Sequence, residues 1–380
     1  MRVLEVFGEP IASGGQEAFI FNVLRHMDRT DLTVDFFTPY FCSNSDYKAL
    51  IEACGGQLFR MGLPFRPGKS RRNIIRPLRE HLRHEPYDAV HIHSGSTTIL
   101  AYGAYTAHAA GVPQIIVHSH VAAQKSLKHS LIRAYAAPYF RKYPTAFCAC
   151  SYEAGEAKFP EEILRSRLQI IKNGIDLERF AFNPDVRTEY RRQLGMADGT
   201  VLLGHVGRFS EQKNHRFDLE VLQALRKQRP VLDIKLLWIG EGELEPDLRQ
   251  MVKAMQLEDT VIFQGVVNNV NDYLQAVDVF LFPSLYEGLG IVGVEAQAAG
   301  LPVLASDAIP EELQLTDSIR FLPIENPEVW ASMIPDVCRE RKPDNIIHLK
   351  KQGYSIQETS AAVRKLYFKP DQLEKDSTTR

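Results

Sequence analysis

Short apolar runs alternate with amphipathic helical stretches along this 380-residue chain, and the alternation comes in two series. The first series places strands at 3–7, 32–37, 57–60, 89–93, 114–118 and 145–150. The second begins after Asn173-Gly174-Ile175-Asp176 and places strands at 201–206, 234–239, 261–264, 277–282 and 302–305. Helices are predicted between them. The first starts near Gln16 and carries Ile20, Val23, Leu24 and Met27 on one face. This rhythm specifies an α/β chain, a parallel sheet with helices on both faces, formed twice. The expected domains are 1–172 and 173–354, each long enough for its own core. Residues 177–195 read as an approach to the second domain. Two doubly wound domains facing a central cleft would each offer their strand-to-helix loops to ligands.

Composition matters mainly for what it excludes. A formal net charge of −2 argues against bulk nucleic-acid binding. The N-terminus runs straight into a strand, without the apolar core of a signal peptide. No apolar run reaches the roughly 20 residues that span a bilayer. The five cysteines form no CxxC pair and read as reduced core thiols, so a cytoplasmic protein is expected.

The chemistry concentrates in three loops. Around Glu287-Gly288-Leu289-Gly290, a glycine-rich turn leads from the 277–282 strand into a small-residue helix carrying Glu295. Backbone N–H groups at such a helix start suit a phosphate, and carboxylates nearby suit sugar hydroxyls. A second loop, Gly207-Arg208-Phe209-Ser210-Glu211-Gln212-Lys213, delivers a guanidinium and an ammonium from one strand end. That pairing suits a diphosphate. The third, Gly8 to Glu17, places Gly14 and Gly15 at a helix start, where they allow close backbone approach, although the GxGxxG fingerprint is absent.

Four histidines alternate on two strands, His91 with His93 and His118 with His120. Such spacing puts each pair on one sheet face and could ligate zinc, but no acidic or cysteine ligand accompanies them in sequence, so no metal site is assigned. His120, last on its strand, is the better candidate for a catalytic role, and His118 is the alternative. The first domain also carries basic amphipathic segments. One has Arg66, Lys69, Arg71, Arg72, Arg76, Arg79 and Arg83; the other runs from Lys125 to Tyr143. They read either as core-facing helices with solvated arginines or as a docking face for anionic lipid. No Asp-x-Asp occurs anywhere, which removes the usual carboxylate pair for a metal-bound diphosphate.

Taken in order, several segments resemble the retaining glycosyltransferase family four, of GT-B fold with two Rossmann-like domains. They are Gly14-Gly15-Gln16-Glu17, Asp88-Ala89-Val90-His91-Ile92-His93, Ser151, Asn173-Gly174-Ile175-Asp176, Gly207-Arg208 with Lys213-Asn214, Gly240-Glu241-Gly242, Phe263-Gln264-Gly265, and the Glu287 to Glu295 stretch followed by Gly300-Leu301-Pro302-Val303. Bacterial exopolysaccharide and capsule enzymes are the nearest in kind. The resemblance implies that Arg208 and Lys213 hold a donor diphosphate, that Glu295 anchors the ribose, and that Glu287 contacts the sugar beside the amides of Gly288, Leu289 and Gly290. Leu289 stands where many relatives have an aromatic. The family histidine maps to His120 or His118. A last helix near 355–370 resembles one that crosses back to the first domain.

The implied reaction is metal-independent transfer, with retention, of a hexosyl or N-acetylhexosaminyl group. It would pass from a nucleotide sugar, UDP-linked by family frequency, to a glycan or lipid-linked acceptor. The partners are donor and acceptor, with peripheral contact at the inner membrane face through the basic first domain, and no separate cofactor. Two alternatives stay open: a sugar-nucleotide epimerase on the same fold, and a non-catalytic nucleotide-sugar-binding subunit.

Overall fold

The structure is a computed structural model describing residues 1–12, 14–65, 74–120 and 127–368. The chain divides into two compact units, Met1–Gly174 with Ile356–Arg380, and Ile175–Ser355. Arg66, Lys69, Arg71, Arg72, Lys125 and the tail beyond 368 lie outside the described residues.

The first unit holds seven parallel strands: β1 (Arg2–Phe7), β2 (Thr33–Thr38), β3 (Leu58–Arg60), β4 (Ala89–His93), β5 (Gln114–Ser119), β6 (Ala146–Ala149) and β7 (Leu168–Ile170). Their spatial order is β3-β2-β1-β4-β5-β6-β7. The second holds six: β8 (Val201–Val206), β9 (Ile234–Ile239), β10 (Val261–Gly265), β11 (Val279–Phe282), β12 (Val303–Ser306) and β13 (Ile319–Leu322), ordered β10-β9-β8-β11-β12-β13. The central strands are buried on both faces, which explains their continuous apolar runs. Each sheet is covered by an apolar cluster on either side.

The order reverses between β1 and β4 in one sheet and between β8 and β11 in the other. Loops leaving the carboxyl ends of these strand pairs are where a doubly wound sheet presents ligand groups. They are the Gly8 and Ser94 loops in the first unit, and the Gly207 and Pro283 loops in the second.

Several boundaries differ from expectation for physical reasons. Strands β7 and β13 were not predicted. Each is an edge strand of three or four residues with only partial burial, so neither reads as an apolar run. β11 starts at Val279 rather than 277, because the Asp278 carboxylate accepts from the Leu202 amide at 2.8 Å and from Arg187 and Arg191. Those arginines lie on the helix Pro184–Gln193, so residues 177–195 are an integral layer of the second unit rather than an approach to it. The chain then returns to the first unit. The helix Ile356–Tyr367 packs there through Ile356, Val363, Leu366 and Tyr367, and Gln114 Nε2 donates to Leu366 O at 2.7 Å. None of the five cysteines, all among the described residues, forms a disulfide. Burial pushes the Cys148 thiol far above its ordinary value.

Candidate active site

In the second unit, the loops after β8 and β11 are fastened together. Leu285 N donates to Gln212 O at 2.8 Å, Gln212 Nε2 to Tyr286 O at 2.9 Å, and Asn214 Nδ2 to Pro283 O at 3.3 Å. Asn214 takes a left-handed conformation, φ 55°, to start the helix His215–Gln228. This framework brings Lys213 Nζ within 2.5 Å of Glu287 Oε1, with both side chains largely shielded. The cation also lies 5.2 Å from the Phe282 ring centroid. Shielding from water strengthens this pair, in which Glu287 is the counter-ion of Lys213.

Gly290 supplies the turn into the helix Ile291–Ala298. Its φ is 76°, and a Cβ there would lie 2.6 Å from Phe282 Cζ, so both conformation and space require glycine. Leu289, expected to offer its backbone amide, is 5% exposed, and its side chain belongs to the apolar core. Glu295 is the fifth residue of the helix. Burial pushes its carboxyl up to about 7, against the opposing charge of Arg179.

Arg208 stands apart from the Lys213 pair. Its side chain is 74% exposed and forks onto Glu243, with Nε and Nη2 both 3.1 Å from Oε2. Glu243 follows Gly240-Glu241-Gly242, a segment whose glycines permit close backbone contact. A Cβ on Gly240 would sit 2.0 Å from Gly207 O, and Phe209 N donates to Glu241 O at 3.0 Å. The arginine is thus free to exchange one exposed counter-ion for another at small cost.

In the first unit, Gly14 caps the helix Gly15–His26. Both glycines are exposed, and a Cβ on Gly15 would meet nothing within 4 Å. Sequence reasoning passed over the groups around them. Gln16 Nε2 donates to Glu9 Oε2 at 3.3 Å, and Ser94 Oγ donates to Glu9 Oε1 at 3.0 Å. Burial pushes buried Glu17 up to about 7, and the charge of Glu9 adds to the rise. Burial also lowers Lys158 from its ordinary value, against the opposing charge of Glu9. Glu17 stands beside Gly14-Gly15 in sequence, which was the one available signal; Lys158 carried none.

His118 lies within β5 and is fully buried. His120 follows the strand end and is 9% exposed. Burial and the neighbouring rings draw both well below the ordinary histidine value. His91, His93 and His118 each bring a nitrogen within 4.8 Å of the others, a set that could hold a metal ion. Hydrogen bonding accounts for the close approach as well: His91 Nε2 to His118 Nδ1 spans 3.2 Å, and His93 Nε2 to Glu5 Oε2 spans 2.6 Å.

The glycosyltransferase family 4 model matches residues 13–179, and the model described as glycosyl transferases group 1 matches 200–339. A Bacillus subtilis protein provisionally named glycosyltransferase EpsF is 32% identical over 376 residues, covering 96% of each chain. The chain belongs to glycosyltransferase family 4. A second relative in the family, the UDP-Gal:α-D-GlcNAc-diphosphoundecaprenol α-1,3-galactosyltransferase of Escherichia coli, is 31% identical over 231 residues. That match covers 60% of this chain and 59% of the relative. Among solved structures, Anabaena HepE in complex with UDP superposes with a TM-score of 0.74 at 18% identity, over 96% of this chain and 99% of that one. The fold is therefore GT-B, with the two Rossmann-like units described above.

Proposed function

We propose that this glycosyltransferase moves a hexosyl or N-acetylhexosaminyl group from a UDP-linked sugar to a glycan or lipid-linked acceptor in surface polysaccharide synthesis. The second unit takes the donor. Lys213 and Arg208 receive the diphosphate, Glu295 the ribose hydroxyls, and Glu287 with the amides of Gly288, Leu289 and Gly290 the sugar. His120 and the Gly14-Gly15 loop serve from the first unit. The observation that carries this reading is the Lys213–Glu287 pair, which two loops 74 residues apart deliver at the point where strand order reverses. UDP bound to HepE and the UDP-Gal donor of the E. coli relative favour uridine. The diphosphoundecaprenol in that relative's name favours a lipid-linked acceptor.

The reaction proceeds with retention and needs neither metal nor cofactor, consistent with the missing Asp-x-Asp. The acceptor oxygen attacks the anomeric carbon on the face from which UDP departs. The carbon–phosphate oxygen bond breaks, and the hydroxyl proton passes to the leaving phosphate. Lys213, Arg208 and the helix N-terminus stabilise the charge that develops there. Glu287 is not a nucleophile in this scheme, because a carboxylate in the phosphate-binding turn is poorly placed to attack from behind the sugar. Peripheral contact at the cytoplasmic membrane face is part of the proposal. The helix Leu127–Lys142 exposes Leu127, Leu131 and Tyr135 at four-residue intervals, with Arg141 and Lys142 in its last turn. No helix among the described residues is long and apolar enough to cross a membrane.

The test is a panel of UDP-, GDP- and ADP-sugars with and without undecaprenyl-diphosphate sugar, read by mass spectrometry of released nucleotide and NMR of the product linkage. Acceptor-dependent UDP release, α-linked product and no loss with EDTA are expected. Interconversion of the donor sugar without acceptor would replace transfer by epimerisation.

A further inference from the structure

Beneath His120 runs a buried polar chain drawn from four elements of the first unit. The Tyr367 hydroxyl, on the last helix, donates to Glu5 Oε1 in β1. Glu5 Oε2 meets His93 Nε2, in β4, at 2.6 Å, and His93 Nδ1 meets His120 Nε2, just past β5, at 2.8 Å. Glu5 and His93 have no exposed surface. At the far end, His120 Nδ1 is buried and has no hydrogen-bond partner among the described residues. A second branch passes from His91 Nε2 to His118 Nδ1 at 3.2 Å, but it ends inside the sheet rather than at a strand end.

Donor and acceptor counting fixes the protons along the first branch. An ionised carboxylate only accepts, so His93 must carry its proton on Nε2. Burial would raise Glu5, but His91 and His93 outweigh it and hold the carboxyl below the usual range. Burial together with His91 lowers His93 from its ordinary value, despite Glu5, and a neutral ring with one proton satisfies Glu5 through Nε2. A neutral His93 protonated on Nε2 has a bare Nδ1. His120 must then donate from Nε2, which leaves a lone pair on its own Nδ1.

We propose that Tyr367, Glu5 and His93 are positioning residues that lock His120 as its Nε2–H tautomer and reserve its Nδ1 to accept a hydrogen bond from a substrate hydroxyl. This rests on the reading of His120 as the functional histidine of the first unit. It explains why an acid sits inside a central parallel strand. It also gives the last helix a chemical role through Tyr367, beyond its apolar packing. The opposite tautomer would present an N–H, which donates to a hydroxyl oxygen and cannot accept the hydroxyl proton.

Long-range 1H–15N spectra of the full chain, labelled with 15N-histidine and assigned through His93→Gln and His120→Gln, read the tautomer directly. The expected wild-type result is His120 protonated on Nε2 and bare on Nδ1 at neutral pH. Glu5→Gln keeps an acceptor for His93 and should retain the tautomer. Glu5→Met removes it, and should mix the tautomers and lower kcat on the order of 10-fold while leaving the KM for donor within about twofold. A His120 protonated on Nδ1, a cationic His93, or a stoichiometric metal ion at these rings in the wild type would overturn the proposal. So would an unchanged tautomer in folded Glu5→Met. If Glu5→Met fails to fold, the wild-type spectrum still decides. Full transfer activity in His120→Ala would instead remove the functional role of His120 while leaving the tautomer assignment standing.

Discussion

Both units bury a carboxylate against a histidine, and the two pairs titrate in opposite directions. Glu5 receives donors on both oxygens, Tyr367 on one and His93 on the other, with His91 Nδ1 3.4 Å away. Its neighbours overcome the cost of burial and keep it ionised. Asp218 in the second unit receives His205 Nδ1 at 2.7 Å and Trp238 Nε1 at 2.8 Å, both on Oδ2, while Oδ1 has no partner among the described residues. There burial prevails and pushes the carboxyl up to about 7, and burial likewise draws His205 down to about 3. His215 stacks on His205 with ring centroids 4.0 Å apart, under the loop that delivers Lys213. The chemistry of the residues is nearly the same; at Glu5 the two neighbouring histidines, His91 and His93, outweigh burial, whereas at Asp218 burial outweighs His215 and Trp238. The charged assembly leads to a strand-end histidine, whereas the near-neutral one lies in the strand and helix that flank the loop carrying the Lys213 cation.

The largest effect should fall on that cation. Lys213→Ala is expected to lower kcat/KM on the order of 10²-fold or more, and Arg208→Ala by a similar factor if its guanidinium leaves Glu243 for the diphosphate. Near-normal steady-state kinetics in both variants would take the donor phosphate away from these residues. Next in size is stability. Glu5→Gln should cost about 1.5–3 kcal/mol at pH 7, measured by urea unfolding, because it removes charge-assisted hydrogen bonds in the interior. Asp218→Asn should cost only about 1 kcal/mol, since that carboxyl is already about half protonated at pH 7.

The two acids should also respond to pH with opposite sign. The folded value of Glu5 lies below its ordinary 4.5, so its contribution is present above 4.5 and lost as pH falls through the lower folded value. The folded value of Asp218 lies above its ordinary 3.8. Its contribution is complete below 3.8 and lost as pH rises through about 7. Unfolding free energies between pH 3 and 8 should therefore flatten on the acid side in Glu5→Gln and between 4 and 7 in Asp218→Asn. The same slope in both variants would erase the contrast. The smallest effect concerns Glu295. With its carboxyl near 7, UDP affinity by calorimetry should strengthen several-fold as pH rises from 6 to 8, and Glu295→Gln should remove that dependence.

The sheets were legible because central parallel strands must be apolar on both faces; β8 and β9 appear where their apolar runs stand. Strands β7 and β13 were not, since each is only three or four residues long and is interrupted by a polar residue, Gln169 or Arg320. The candidate site loops were legible for a similar reason. Glycines flank charged residues there at strand ends, and Gly240 and Gly290 turn out to lack room for a Cβ. The polar interior of the first unit was read only in part. His91, His93, His118 and His120 were visible as pairs on strands, but Glu5 and Tyr367 sit 362 residues apart and carry no local pattern.

By itself, then, the sequence determined the two doubly wound units, which follow from periodicity and glycine placement as local properties of the chain, and its motifs carried the resemblance that named the family. Only the tertiary structure decided which charges meet. It paired Lys213 with Glu287, left Arg208 with Glu243, and joined Tyr367, Glu5, His93 and His120 into one chain. Protonation depends on burial and on partners brought together from distant segments, and no local pattern encodes either.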